Sequence, residues 1–533
     1  MDALVIGGHY SEDRIDTMRH VDDFRLEYDG VPMTTKNLKE FFRNNRSFKD
    51  AERRQREEIY RPYRQIYYPS LHIYNYISQN GYNAALLNCH CPQDEKRFEV
   101  FKQNPKVVIL STTFMNMEAV RLVAKDIKQY LPDTKIIVGG GYVRHSYLIW
   151  QRIEDPYYNM HEVQTRYFFT SNNPVQEVDA YIFDEHGEET LLMYLDAVKK
   201  GKSIDSIPNI ATYNGKNFVF NKEAPEEFNM NKCRIHWEKI PREYLSLVMP
   251  FSVTYGCPFK CNFCNFRSVS LSKKSLDTIF AELREISNLG IVQKIWFSDD
   301  NFLLTPKQVE QFCERYIQEG FSFRWMSFIR ANSITSKTVD LMKKSNAELL
   351  VLGLESGSPT VLEAMNKQDI LKDVHRAMSL LMSNNIDTEI SFIIGHPGET
   401  DDTVKETIDF INAMPYSDEQ IPYLYLFKFY LAPLSRIFEK QMRDQWGLEG
   451  AFLDWKHKTM DSDYASAMLK KVALSVQKPV FNYLDGYSSK SKKELVKFMR
   501  KRDSLSRAVL SGKPDNVVDA LWDELETLTF SRS

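Results

Sequence analysis

The sequence predicts an α/β protein: two successive parallel-sheet regions followed by a helical C-terminal region. Three observations carry this. Short apolar strand patterns alternate with amphipathic helix patterns over residues 1–200, and again from about residue 250 to 430. Most strand patterns run into glycine-rich or polar turns, as they do at the ligand edge of a parallel sheet. After Tyr430 the pattern turns mainly helical to the end of the chain.

In the first region, Ala3–Gly7 is an apolar strand, Ser70–Gly81 a helix and Ala84–Leu87 a strand. Lys106–Leu110 is a strand entering Ser111-Thr112-Thr113, with a helix at 117–130 after it. Lys135–Val138 enters Gly139-Gly140-Gly141, and Ala180–Phe183 enters Asp184-Glu185-His186-Gly187-Glu188-Glu189-Thr190 before another helix. This is the order of a doubly wound open sheet, whose ligand crevice lies at the strand C-termini. Glycine and Ser/Thr there let a large ligand approach the backbone. Residues 10–65 read as a helical insertion whose charge run, Arg53–Glu58, suits a solvated face. Cys89-His90-Cys91 reads as ordinary strand-end residues, because two cysteines one residue apart chelate a single ion poorly.

In the second region, Phe251–Tyr255 is the first strand. A helix capped by Ser275 follows and ends at Gly290. Lys294–Ser298 is the second strand, and Thr305-Pro306 opens the next helix. Phe323–Ile329, Leu349–Leu354, Glu389–Ile394 and Tyr423–Tyr430 are strands three to six. Helical segments near 336–346, 370–384 and 400–414 separate the later ones. Six strands alternating with helices imply parallel pairing through right-handed crossovers. Cys233 and Cys313 read as structural. The basic stretch Lys490–Arg502 reads as a solvated helix face.

Composition limits the class. The chain has 533 residues, enough for two to four domains, with 43% hydrophobic and 26% charged residues. A net charge of −3 supplies no basic field that would call for nucleic acid or a membrane surface. No apolar run approaches the ~18 residues of a membrane span. The N-terminus lacks the basic start of a signal peptide, and seven cysteines are too few for a disulfide framework. A reducing cytoplasm is the expected compartment.

The chemistry centres on Gly256-Cys257-Pro258-Phe259-Lys260-Cys261-Asn262-Phe263-Cys264. Three thiolates spaced C-x3-C-x2-C can hold three corners of a 4Fe–4S cube and leave one iron open. Zinc would use the same thiolates plus a fourth Cys or His, and no such partner lies nearby in sequence.

C-x3-C-x2-C with Phe263 before the last cysteine resembles the signature of radical S-adenosylmethionine (SAM) enzymes. The resemblance implies a partial (β/α)6 barrel over residues 236–435, with reactive groups at the strand C-termini. It makes Cys257, Cys261 and Cys264 the cluster ligands. Asp299, Asp300 and Asn301 would accept from SAM's amino group; a helix-capping acidic turn is the alternative for either Asp. Arg330 would clamp its carboxylate, with a surface salt bridge as the alternative. Glu355 and Ser356 resemble the ribose-binding element, and the segment through Ile394 resembles the adenine-contacting one.

The upstream domain resembles the cobalamin-binding subfamily. A Rossmann-like domain over 1–235, holding the insertion at about 10–65, would bind the corrinoid through Ser111, Thr112, Thr113, Gly139, Gly140, Gly141, Glu185 and Gly187. The Asp-x-His-x-x-Gly motif that supplies a lower axial histidine is absent. His9 lies in the loop after the first strand, so the lower axial ligand of cobalt is His9 or none, and a degenerate domain that binds no cobalamin is the alternative. Leu431–Ser435 and Trp455–Met460 resemble elements of cobalamin-dependent members, and 436–533 would cap the substrate pocket.

The expected activity is C-methylation of an unactivated carbon in a natural-product or peptide substrate. The cofactors are a 4Fe–4S cluster, SAM and cobalamin, and the electron donor is a flavodoxin or ferredoxin. Two rivals remain: cyclisation, rearrangement or oxidation with the same cofactors, and a non-enzymatic zinc-and-nucleotide scaffold.

Overall fold

The computed structural model describes all residues except 10–25, 29–30, 34–65, 93–94, 266–270, 368–370, 418–419, 421, 482–491, 515, 519, 522 and 525–533. By its contacts the chain forms two compact units. One is Met1–Met18 with Arg61–Cys257 and Ser268–Trp296; the other is Arg19–Tyr60 with Pro258–Arg267 and Phe297–Ser533.

The first sheet has seven strands: β1 (Ala3–Gly8), β2 (Ala84–Leu87), β3 (Val107–Phe114), β4 (Lys135–Gly139), β5 (Ala180–Ile182), β6 (Ile210–Tyr213) and β7 (Phe218–Phe220). Their order is β2-β1-β3-β4-β5-β6-β7. The first four pairings are parallel and the last two antiparallel. Leu4, Ile6, Val108, Leu110, Ile136 and Val138 bury their side chains with Val120, Val123 and Ile127 of helix Met117–Tyr130. That helix starts where Asn116 Oδ1 accepts from the Ala119 amide at 2.8 Å. Strand β3 runs longer than expected, so Ser111–Thr113 lie within it and not in a loop beyond it. The expected helical insertion falls almost wholly outside the described residues. Within it, Leu26–Tyr28 pairs antiparallel with Val31–Met33.

The second sheet runs in chain order: β8 (Val248–Phe251), β9 (Lys294–Phe297), β10 (Arg324–Phe328), β11 (Ala347–Glu355), β12 (Asp387–Ile394), β13 (Pro422–Lys428) and β14 (Val480–Phe481). The six expected strands are present. The first starts earlier than the sequence suggests, and Thr254–Tyr255 turns aside to pair antiparallel with Ser272–Lys273. A seventh strand comes from the region expected to be helical, with Tyr423 paired to Val480. That region also holds a hairpin, Glu449–Ala451 with Asp454–Lys456.

The helix boundaries follow local signals. Ser275 Oγ accepts from the Thr278 amide, and Gly290 ends the same helix at φ +67°. Thr305 caps a helix that begins with Pro306. Cys313 is fully buried on that helix, where burial pushes its thiol up to about 12.

Candidate active site

The cysteine loop begins at Gly256, whose φ of +79° suits glycine. Cys257, Cys261 and Cys264 form no disulfide and are half-buried. Between them, two residues fasten the loop to later strand ends. The Arg330 guanidinium, just beyond β10, lies over the Phe259 ring at 3.8 Å. Asn262 makes four hydrogen bonds. Its amide donates to Met365 O at 3.0 Å and its carbonyl accepts from the Ile437 amide at 2.9 Å. Its Nδ2 donates to Ala364 O, and its Oδ1 lies 3.1 Å from His396 Nε2. The Phe263 ring stands edge-on to the same histidine at 6.4 Å.

His396 is fully buried, and burial pushes its pKa down to about 3, so the ring is neutral. It belongs to the turn after β12, which the fold holds tightly. Gly395 has φ +98°, and a Cβ there would sit 2.6 Å from the Trp455 ring. The Gly395 amide donates to Glu399 Oε2 at 2.5 Å, and Gly395 O lies 3.0 Å from His457 Nε2. Trp455 Nε1 donates to Phe429 O at 2.7 Å. Burial pushes the Glu399 carboxyl up to about 8. The Trp455–Met460 segment therefore buttresses the turn that Ile394 enters.

The other predicted SAM residues fall into three groups. Asp299 and Asn301, beyond β9, are buried. Asp300 stays exposed, yet the protein packed around its carboxyl raises its pKa. Glu355 ends β11 at φ +74°, a conformation that costs a non-glycine residue of order 1–3 kcal/mol. It is held by Lys367 Nζ and by Ser391 Oγ, each at 3.3 Å. Ser356 is fully buried, and its hydroxyl is already engaged by Thr407 Oγ1 at 3.3 Å and by the Ser358 amide at 3.1 Å. That leaves its side chain little capacity for a ribose.

At the carboxyl edge of the first sheet, Ser111 and Thr112 are buried, and Thr112 Oγ1 donates to Gly139 O at 2.8 Å. Thr113 and Phe114 are exposed. Gly140 has φ +104°, and a Cβ on Gly141 would meet no atom within 4 Å. Among the described residues the backbone at Gly141 is thus uncovered, which suits the approach of a bulky ligand there. Glu185 and Gly187 flank His186, whose ring stacks on Phe228 at 4.1 Å and stands 5.1 Å from Tyr255. Sequence reading missed this histidine. Its signal was an aromatic-capable residue inside an otherwise acidic turn.

His90 is not an ordinary strand-end residue. It is fully buried, and its Nε2 lies 2.7 Å from Asp126 Oδ2 while its Nδ1 lies 3.2 Å from His9 Nδ1. Elsewhere among the described residues, His236, Glu238 and Glu285 bring three possible metal donors together, but Arg234 already neutralises Glu285.

Residues 251–411 match the model of the radical SAM superfamily. The chain carries a radical SAM domain. It is 27% identical over 321 residues to an uncharacterized methyltransferase of Pyrococcus horikoshii, covering 58% of this chain and 64% of that protein. It is 23% identical over 364 residues to the anaerobic magnesium-protoporphyrin IX monomethyl ester cyclase of Rubrivivax gelatinosus, covering 63% and 60%. The chain therefore spans about three fifths of the length of these curated relatives. Among solved structures, the cobalamin-dependent SAM radical enzyme OxsB, with aqua-cobalamin and SAM bound, superposes with a TM-score of 0.58 at 15% identity, over 85% of this chain and 70% of that one. The likeness extends the shared fold beyond the radical SAM domain to the upstream sheet. No helix among the described residues is long and apolar enough to cross a membrane.

Proposed function

We propose that this chain is a cobalamin-dependent radical SAM enzyme that methylates an unactivated carbon. The observation that carries the reading is the half-buried, disulfide-free C-x3-C-x2-C trio on a loop tied through Phe259 and Asn262 to strand ends bearing candidate SAM residues. Cys257, Cys261 and Cys264 supply three thiolates to a 4Fe–4S cluster, leaving one iron open. When bound, the cluster and SAM supply a 5′-deoxyadenosyl radical on one-electron reduction, and cobalamin supplies the methyl carrier.

The chain's residues bind and orient. Asp299, Asp300 and Asn301 accept from SAM's ammonium. Arg330, flattened on Phe259, pairs with its carboxylate. Glu355, preset by Lys367 and Ser391, accepts from the ribose hydroxyls. Ile394 and the rigid turn after it contact the adenine, and Ser356 contributes backbone. Ser111–Thr113, Gly139–Gly141, Glu185 and Gly187 form the corrinoid ledge. The functional division is 1–235 for cobalamin, 236–435 for SAM and 436–533 for substrate capping. A natural product or peptide is the substrate, and a flavodoxin or ferredoxin is the reductant. A reducing cytoplasm keeps the thiols competent for cluster assembly.

The methyltransferase likeness and the fold shared with a cobalamin-bound SAM enzyme support methyl transfer. The cyclase likeness supports a second reading, cyclisation with the same cofactors. Anaerobic reconstitution should yield one 4Fe–4S cluster and a retained corrinoid, and Cys261→Ala should abolish SAM cleavage. Methyl-labelled SAM should place label in the product; turnover without label would favour cyclisation. Zinc in place of iron would defeat both.

A further inference from the structure

We propose that the face of β10–β13 turned away from the helices binds the substrate, that it takes an uncharged aromatic group, and that Phe328 and Phe427 are the residues that select it. The inference rests on the reading that the ends of these strands hold SAM.

The two faces of these strands differ. On one, side chains pack under helices. Trp325 is fully buried, and its ring lies 6.1 Å from Phe312 of helix Pro306–Glu319. Lys428 Nζ donates to Ser462 and Ser466 of helix Ser462–Ser475 at 3.1 and 3.2 Å. Side chains alternate along a strand, so Phe328, Tyr425 and Phe427 belong to the opposite face. Ser391 pairs with Tyr425 and lies there too, bonded at 3.3 Å to Glu355 of the next strand.

That second face keeps contact with solvent. Leu350, Leu352, Ile390 and Phe392, on the helix side, are buried, whereas Ser391 and Phe427 are half-buried and Phe328 is 37% exposed. Covering such apolar area is favourable in proportion to the area removed from water. Phe427 stacks on Tyr425, with ring centroids 5.4 Å apart and planes 10° from parallel, so its orientation is set before a ligand arrives. A planar ring gains from such a neighbour beyond the area it buries; a saturated group of the same size gains area alone.

Charge narrows the class further. From Met326, Leu349, Asp387 and Tyr423 onward, no position on this face of the strands is Lys, Arg or His. Glu389 and Glu355 lie on it, and Lys367, which comes from outside the sheet, is held by Glu355 at 3.3 Å. A carboxylate on the ligand would therefore meet like charge. The face also adjoins the candidate SAM residues. Arg330 follows Phe328 by two residues, and Ile394 directly follows Ile393, the partner of Phe427.

The test uses full-length, cluster-reconstituted protein with SAM present and three probes: 2-naphthylmethanol, its decahydro counterpart and 2-naphthoate. Equilibrium dialysis should show the aromatic alcohol binding about fivefold more tightly than the saturated one, and naphthoate binding more weakly than the aromatic alcohol. Phe328→Ile keeps apolar bulk but removes the ring. It should lose most of the aromatic preference while the affinities for SAM and for the saturated alcohol stay unchanged. Phe427→Leu should act in the same direction and serves if the first variant does not fold. Equal binding of the aromatic and saturated alcohols, naphthoate binding as tightly as the aromatic alcohol, a preference that survives both variants, or variants that weaken SAM in place of the probe would each overturn the inference. All of these leave SAM binding by the wild-type protein, and so the proposed function, standing. Wild-type protein that assembles no cluster and binds no SAM overturns that function and this inference with it.

Discussion

Asn262 Oδ1 and His396 Nε2 lie 3.1 Å apart, joining the middle of the cysteine loop to the turn after β12 across 134 residues of sequence. The neutral, buried His396 also has its Nδ1 2.9 Å from Pro397 O, and Asn262's amide nitrogen donates to Ala364 O. One side chain therefore sets the loop's position against two other segments.

Asn262→Ala leaves the buried His396 Nε2 and the Ala364 carbonyl without these partners. Each such group costs about 1–3 kcal/mol. The variant should unfold at lower denaturant and retain less iron after reconstitution than wild type. Equal iron content and an unchanged unfolding midpoint would show that the clamp does not hold the loop.

Glu399 carries a pH prediction. Its folded value of about 8 lies above the ordinary 4.5, so the fold favours the protonated side chain. Below 4.5 both states are protonated, and its contribution is fully present. Between 4.5 and about 8 only the unfolded chain ionises, so stability falls as pH rises, by up to about 1.4 kcal/mol per unit. Above that the loss levels off. Glu399→Gln mimics the protonated form, can still accept from the Gly395 amide, and should lose this slope. Urea unfolding near pH 6 and near pH 8 checks it; parallel behaviour of the two proteins would refute it.

Arg330 and Phe259 should act together on SAM. Arg330→Lys keeps the charge but loses the planar fork and the stack, and should weaken SAM binding by about tenfold, or ~1.4 kcal/mol. Phe259→Leu removes only the ring beneath the guanidinium, worth about 1 kcal/mol, and should have a smaller effect. Equilibrium dialysis with SAM measures both. An unaffected affinity in Arg330→Lys would remove Arg330 from the carboxylate clamp.

A buried ion pair supports the other unit. Lys274 Nζ and Glu282 Oε1 are 2.6 Å apart with both side chains almost wholly buried, and Trp237 Nε1 donates to Glu282 Oε2 at 3.0 Å. Lys274→Met strands the carboxylate and should cost about 3–5 kcal/mol. The double change Lys274→Met with Glu282→Leu should recover much of that. If the single variant proves as stable as the double one, the pair is not desolvated.

The amino-acid sequence by itself determined the strand–helix alternation, the caps at Ser275, Thr305 and Gly290, and the cysteine spacing. Each of these is written within a few residues, where periodicity and capping chemistry act. Tertiary structure alone decided that Asn262 meets His396, that Ser356 spends its hydroxyl on Thr407 51 residues later, and that Val480 adds a strand beside Tyr423. It also decided that His90, seemingly a strand-end residue, links Asp126 to His9. A side chain's own sequence states what it can donate or accept, but its partner is set by which distant segment the packed sheet brings within about 3 Å, and no local pattern encodes that distance.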